Sequence, residues 1–139
     1  MSATATVQTR TTGQPGRYIL SAEGRHLVVD ASAMTGGVAE AFVAQELLVG
    51  ALATCAQAVV FAKGEEYDLR PSSVTVTVES DRDPEASPPV YSSITMDFVI
   101  EGLAQEDAQR LVDEFTSLCP IYYTVSQAAP MTVTVRVTP

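Results

Sequence analysis

The chain has 139 residues, an apolar share of 46%, a charged share of 18% and a formal net charge of −9. Those proportions predict one ordinary globular domain over residues 1–139 and argue against wholesale disorder. Eight scattered basic residues against 17 acidic ones exclude a phosphate-binding surface, so nucleic acid is not an expected partner.

The stretch from Met1 to Val7 has neither a basic nor an apolar region of the kind a signal peptide needs. The longest apolar stretch, Leu47 to Ala62, is interrupted by Thr54 and Gln57, so no membrane span is expected and a cytoplasmic location is. Two cysteines are too few for a secreted disulfide framework. In a reducing cytosol they are either inert core residues or a working redox pair.

Thr4 to Arg10 alternates small and β-branched residues, and Gly13 to Gly16 reads as a turn. Strands are expected at Arg17 to Leu20 and Leu27 to Val29, with a hairpin turn at Glu23-Gly24 between them, and Gly36-Gly37 closes this part. From Val38 to Ala62 good helix formers dominate, Pro is absent, and the pattern predicts one long helix or a loop feeding one. Lys63-Gly64 reads as its C-cap. The C-terminal half of this helix is apolar nearly all round, so it must be covered on most sides, and a homodimer is expected to supply the missing cover.

Ser73 to Glu79 and Ile94 to Ile100 alternate as strands, with Val74, Val76 and Val78, then Ile94, Met96, Phe98 and Ile100, facing inward. Asp81 to Pro89 between them reads as an exposed loop. Ala104 to Ser117 is an amphipathic helix with Ala104, Ala108, Leu111, Val112 and Phe115 on its core stripe. A short helix is expected after Cys119-Pro120, and Thr132 to Val137 is a last alternating strand. The order β-β-β-α-β-β-α-(α)-β is that of an α+β chain.

Few residues can carry chemistry. His26 lies alone in a strand, where a histidine is more often structural or solvent-facing than catalytic. Two Cys and one His lack the spacing of a zinc site, and Thr35-Gly36-Gly37-Val38 lacks the spacing and the Lys of a phosphate loop, so no metal or cofactor is expected. The cysteines remain. Cys119 stands before Pro120 at a helix start, where the helix dipole favours a thiolate by about 0.3–1 kcal/mol. Cys55 shares a helix face with Leu48, Ala51, Leu52, Ala58, Val59 and Ala62, and desolvation there disfavours its thiolate. By itself it reads as a core cysteine. As a nucleophile it would need a cation from elsewhere, with Arg10, Arg17 and Arg25 the candidates.

Ala44-Gln45-Glu46-Leu47-Leu48 followed by Ala51-Leu52-Ala53-Thr54-Cys55 is similar to the Pro-x-Glu-Leu-Leu-x-x-Ala-Leu-x-x-Cys helix of the OsmC/Ohr family. Leu118-Cys119-Pro120-Ile121, after an amphipathic helix, resembles that family's second cysteine motif, and the order of elements fits from about residue 4 to 137. The resemblance implies an intertwined homodimer with long central helices packed between sheets. It also implies a thiol-dependent hydroperoxide reductase, with Cys55 attacking the peroxide and Cys119 resolving the sulfenic acid as a disulfide. An external dithiol, a lipoyl group in one branch of the family, would restore both thiols. The well-studied peroxidases of the family carry a Glu ten residues before the helix cysteine, where this chain has Gln45 with Glu46 next to it, and Ala44 stands for the motif Pro. These departures resemble the OsmC-like branch more than the Ohr branch. Two other classes fit the same residues: a non-catalytic dimer holding a small apolar ligand at its interface, and a redox sensor.

Overall fold

The structure is a computed structural model and describes residues 4–139. Met1 to Ala3, part of the stretch read above for targeting, lie outside the described residues. Among the described residues the fold is α+β, with two three-stranded sheets and three α-helices. The chain divides into two compact units, residues 1–48 and 49–139.

The first unit is an antiparallel meander of β1 (Gln8–Thr11), β2 (Arg17–Ala22) and β3 (Arg25–Asp30). β1 is shorter than the alternation from Thr4 suggests and is exposed along its length. The hairpin at Glu23-Gly24 is as expected: both residues adopt positive φ, +48° and +78°, and Ala22 pairs with Arg25 across a two-residue loop. Two left-handed residues match the twist of the flanking strands, and Gly24 takes that conformation without steric cost. β3 is followed by a 3-10 turn, Ser32–Thr35, which alternation could not reveal.

Asp30 closes this unit. It is fully buried and accepts hydrogen bonds from the backbone N–H of Ser32 at 2.8 Å, the Ser32 hydroxyl, the backbone N–H of Glu40 at 3.1 Å and Arg17 Nε at 3.2 Å. The Ser32 side-chain and backbone bonds, joined by the Arg17 guanidinium, outweigh burial and hold its carboxyl below the usual range.

α1 (Ala44–Tyr67) starts later and ends later than Val38 to Ala62. Its start is set by Glu46, whose carboxylate accepts the backbone N–H of Val43 at 3.0 Å, the reciprocal half of a capping box. Its end is a Schellman closure. Asp68 adopts φ +54°, and the N–H groups of Leu69 and Asp68 return to the carbonyls of Gly64 (2.8 Å) and Glu65 (3.4 Å). Gly64 is therefore an interior helix residue and not the cap. A Cβ there would stand 2.7 Å from the Leu69 carbonyl oxygen, so glycine is what lets the chain turn back so closely.

In the second unit β4 (Ser73–Arg82), β5 (Tyr91–Glu101) and β6 (Met131–Thr138) form a sheet in the order β4-β5-β6. β4 runs into the expected loop as far as Arg82, with Asp81 opposite Ser93. β4 and β5 are antiparallel, whereas β5 and β6 are parallel and are joined through α2 (Gln105–Leu118) and α3 (Pro120–Ser126). A parallel pair needs such a crossover.

The core lies on one face of this sheet. Ile94, Met96, Phe98 and Ile100 of β5 meet Ala108, Leu111, Val112 and Phe115 of α2 and the α1 stripe Leu52, Ala56 and Val60. All are essentially inaccessible, and each large apolar side chain contributes about 1.5–3 kcal/mol by its burial. Phe115 stacks between Phe98 (5.8 Å) and Tyr122 (5.3 Å). By length and composition alone α1 would suffice to cross a bilayer. Its buried stripe, however, is a core stripe packed with a β-strand and a second helix. Off that stripe Thr54, Ala58, Phe61 and Ala62 are exposed, Phe61 to 72%.

Two side-chain amides cover carbonyls on the outer strands. Gln57 Nε2 donates to the Val74 carbonyl at 2.8 Å, and Gln105 Nε2 donates to that of Val135 at 3.0 Å. Both strands are sheet edges, where unpaired backbone groups invite further strand pairing. The last turn of α1 is tied to α2 through Tyr67, whose hydroxyl donates to Glu114 at 2.5 Å while the Arg110 guanidinium lies 3.6 Å from its ring centroid. The Glu114 hydrogen bond, with burial, raises the Tyr67 hydroxyl above its ordinary range.

Candidate functional site: the Cys55 and Cys119 disulfide

Cys55 and Cys119 are brought together in the second unit and joined as a disulfide, with Cα atoms 6.6 Å apart. That separation lies within the range that bridged cysteines occupy, about 4.4–6.8 Å. Each partner is positioned by its local sequence.

Cys55 sits in mid-helix on α1 and is partly buried. The fully buried stripe is Leu52, Ala56, Val60 and Gly64, one position round from Cys55. Of the neighbours the helical wheel assigns to it, Ala58 and Ala62 are exposed and Leu48, Ala51 and Val59 are partly buried. Cys55 thus lies at the margin of the core and is not walled in on every side.

Cys119 owes its place to Pro120. A proline disfavours the helical conformation in the residue before it, and Cys119 is extended, at φ −78° and ψ 113°. α2 ends there, with the Cys119 N–H still bonded to the Phe115 carbonyl at 3.0 Å, and α3 begins with Pro120 as its first residue. Cys119 is the N-cap of α3, and its Sγ accepts the backbone N–H of Tyr122 at 3.3 Å. Its side chain is 1% exposed, under the Phe115 and Tyr122 side of the core. Beside it on the surface stand Leu118 and Ile121, 53% and 37% exposed.

The three arginines considered as supporting cations are all in the first unit. Arg10 is on the exposed β1. Arg25 pairs with Glu23 at 2.9 Å across the hairpin turn. Arg17 is held most firmly: Nε bonds buried Asp30, Nη1 bonds Gln14 at 2.9 Å and Nη2 pairs with Glu40. The Asp30 hub was not found from the sequence. Its only local signal is Asp-x-Ser at the end of a strand, an Asx-type turn motif. Glu46 is engaged in capping α1, which accounts for an acid in the first turn without a role at the cysteines. His26 is exposed, with Nδ1 2.8 Å from the Ser21 hydroxyl oxygen.

The OsmC-like protein family profile matches residues 37–134. No curated protein sequence matches the chain. Among solved structures, an OsmC-like protein from Mycoplasma pneumoniae superposes with a TM-score of 0.87 at 14% identity, over 100% of both chains. An organic hydroperoxide resistance protein OsmC from Legionella pneumophila gives 0.76 at 19% identity, over 96% of this chain and 97% of that one. The organic hydroperoxide resistance protein OhrB of Bacillus subtilis gives 0.70 at 14%, over 96% and 98%. At such identities these likenesses establish the fold.

Proposed function

The chain belongs to the OsmC-like protein family, and from that premise we propose that it is a two-cysteine hydroperoxide reductase serving oxidative-stress defence. The Cys55–Cys119 disulfide carries the reading. The names of the Legionella and Bacillus neighbours, both organic hydroperoxide resistance proteins, support the substrate class.

In the cycle, the Cys55 thiolate attacks one peroxide oxygen and the O–O bond breaks. The departing alkoxide takes a proton to become an alcohol, and Cys55 is left as a sulfenic acid. Cys119 then attacks the Cys55 sulfur, hydroxide leaves and is protonated to water, and the disulfide forms. The division of labour follows accessibility: Cys55 is partly buried at the margin of the core, whereas Cys119 is fully buried. An external dithiol such as a lipoyl group closes the cycle, and the reducing cytoplasm is the compartment that suits it. No cofactor is required.

A homodimer goes with this proposal. The exposed residues of α1, Phe61 the largest of the apolar ones in its second half, form the surface a second copy would bury. The test is turnover of cumene hydroperoxide with dihydrolipoamide as reductant. Sustained consumption of peroxide, lost in Cys55→Ser, is the expected result. Consumption no faster than with the reductant alone leaves a non-catalytic family member.

A further inference from the structure

The two sulfurs of the disulfide are not equivalent targets. A thiolate reducing a disulfide must approach along the line of the S–S bond, so it can attack only a sulfur that has an open side. Cys119 has none: it is 1% exposed and belongs to the same buried cluster as Phe98, Leu111 and Phe115. Cys55 is only partly buried and packs at the margin of that cluster, so it is the less enclosed sulfur of the two.

The leaving group points the same way. Exchange is faster when the departing sulfur is stabilised as a thiolate. Cys119 Sγ already accepts the Tyr122 N–H at 3.3 Å, a donor in place before the bond breaks.

We infer that external reductants attack Cys55 and expel Cys119, so that the mixed disulfide of the reductive half-reaction is carried by Cys55. The external thiolate forms a bond to Cys55 Sγ, the Cys55–Cys119 bond breaks, and its electron pair leaves on Cys119 Sγ. A second thiol of the reductant then attacks the sulfur of its own chain in the mixed disulfide. This releases Cys55 as thiolate and carries two electrons from the dithiol to the protein. The inference takes its place in the cycle from the proposed function, but it concerns the disulfide alone. Cys119 would then act twice as the inner partner, attacking Cys55 in oxidation and leaving it in reduction.

The test needs no hydroperoxide. Wild-type protein is oxidised with diamide, exposed briefly to β-mercaptoethanol, quenched in acid, capped with N-ethylmaleimide and digested for mass spectrometry. A parallel sample is cleaved with excess sulfite, whose S-sulfonate does not collapse back while sulfite is in excess. The expected result in both is the adduct on the Cys55 peptide and maleimide on the Cys119 peptide, by about tenfold or more over the reverse. Adducts chiefly on Cys119, or shared evenly, overturn the inference. A protein that gives the Cys55 adduct yet fails to consume hydroperoxide keeps this inference and loses the peroxidase reading.

Discussion

Reducing the disulfide should cost the folded chain a large and calculable amount of stability. The bridge joins residues 64 positions apart. In the chain-entropy description, closing a loop of that length removes about 14 cal/mol/K from the unfolded chain, or about 4 kcal/mol at 25 °C. With an unfolding entropy of roughly 0.3 kcal/mol/K for a chain of this length, the oxidised protein should melt about 10–15 °C above the reduced one. Thermodynamic linkage turns the same number round: the fold favours the disulfide over the dithiol by about three powers of ten more than the unfolded chain does. The assay is urea unfolding of diamide-oxidised and phosphine-reduced protein at one protein concentration, which keeps any self-association constant between the two. A difference below about 1 kcal/mol, or a more stable reduced form, would mean that the native fold resists bringing Cys55 and Cys119 together.

Further expectations concern single positions. Gly64→Ala replaces a poor helix former by the best one, yet its Cβ would meet the Leu69 carbonyl oxygen at 2.7 Å. The crowding should outweigh the propensity gain and cost about 1–3 kcal/mol in chemical denaturation, and a stabilised variant would contradict the closure described for α1. Phe115→Ala empties the space between Phe98 and Tyr122 and should cost about 3–5 kcal/mol in the same measurement. Glu46→Ala removes a capping bond, so it should lower stability by about 0.5–2 kcal/mol and leave the rate of thiol oxidation by hydroperoxide unchanged; a loss of rate would give Glu46 a part in the chemistry.

The pH dependence has a definite sign. The carboxyls of Asp30, held low by its Ser32 hydrogen bonds and Arg17, and Asp97, held low by Arg136 and Thr134, are depressed in the fold. Their contribution is complete above the unfolded carboxylate range, near pH 4, and is lost as pH falls through the lower folded values. Stability should therefore fall on acidification below about pH 4, and Asp30→Asn should flatten that decline; an unchanged slope would remove Asp30 as a contributor.

Much of this molecule is legible in its sequence where one physical preference acts alone. Period-two alternation in Ile94 to Ile100 names core residues directly, and so do Ala108, Leu111, Val112 and Phe115 of the expected stripe, whereas Ala104 at its start is the exposed N-cap of α2 and not a core residue. Cys119-Pro120 marks a helix break because proline restricts its predecessor whatever surrounds it. The bounds of α1 are less legible. Residues 38–43 carry the same kind of side chains as the helix itself, and its start is decided by a carboxylate reaching one backbone N–H. Its end is decided by Asp68, a residue that tolerates the left-handed conformation less readily than glycine, while the nearby Gly64 serves a close backbone approach instead. The Asp30 hub is assembled by a strand end, a turn and a loop, and no periodicity encodes such a meeting. At the site, both cysteines are visible in the sequence, but their unequal exposure is a property of the packed core.

The proposed chemistry is tested most directly by adding one equivalent of cumene hydroperoxide to fully reduced protein and counting free thiols with time. The account predicts that wild type rapidly loses both thiols and gains the Cys55–Cys119 disulfide. Cys119→Ser should react as fast but stop at a sulfenic acid on Cys55 that dimedone traps, and Cys55→Ser should lack the fast reaction. Equal, slow loss in all three proteins, at the rate of an ordinary thiol, would contradict it and leave the two cysteines as packing residues.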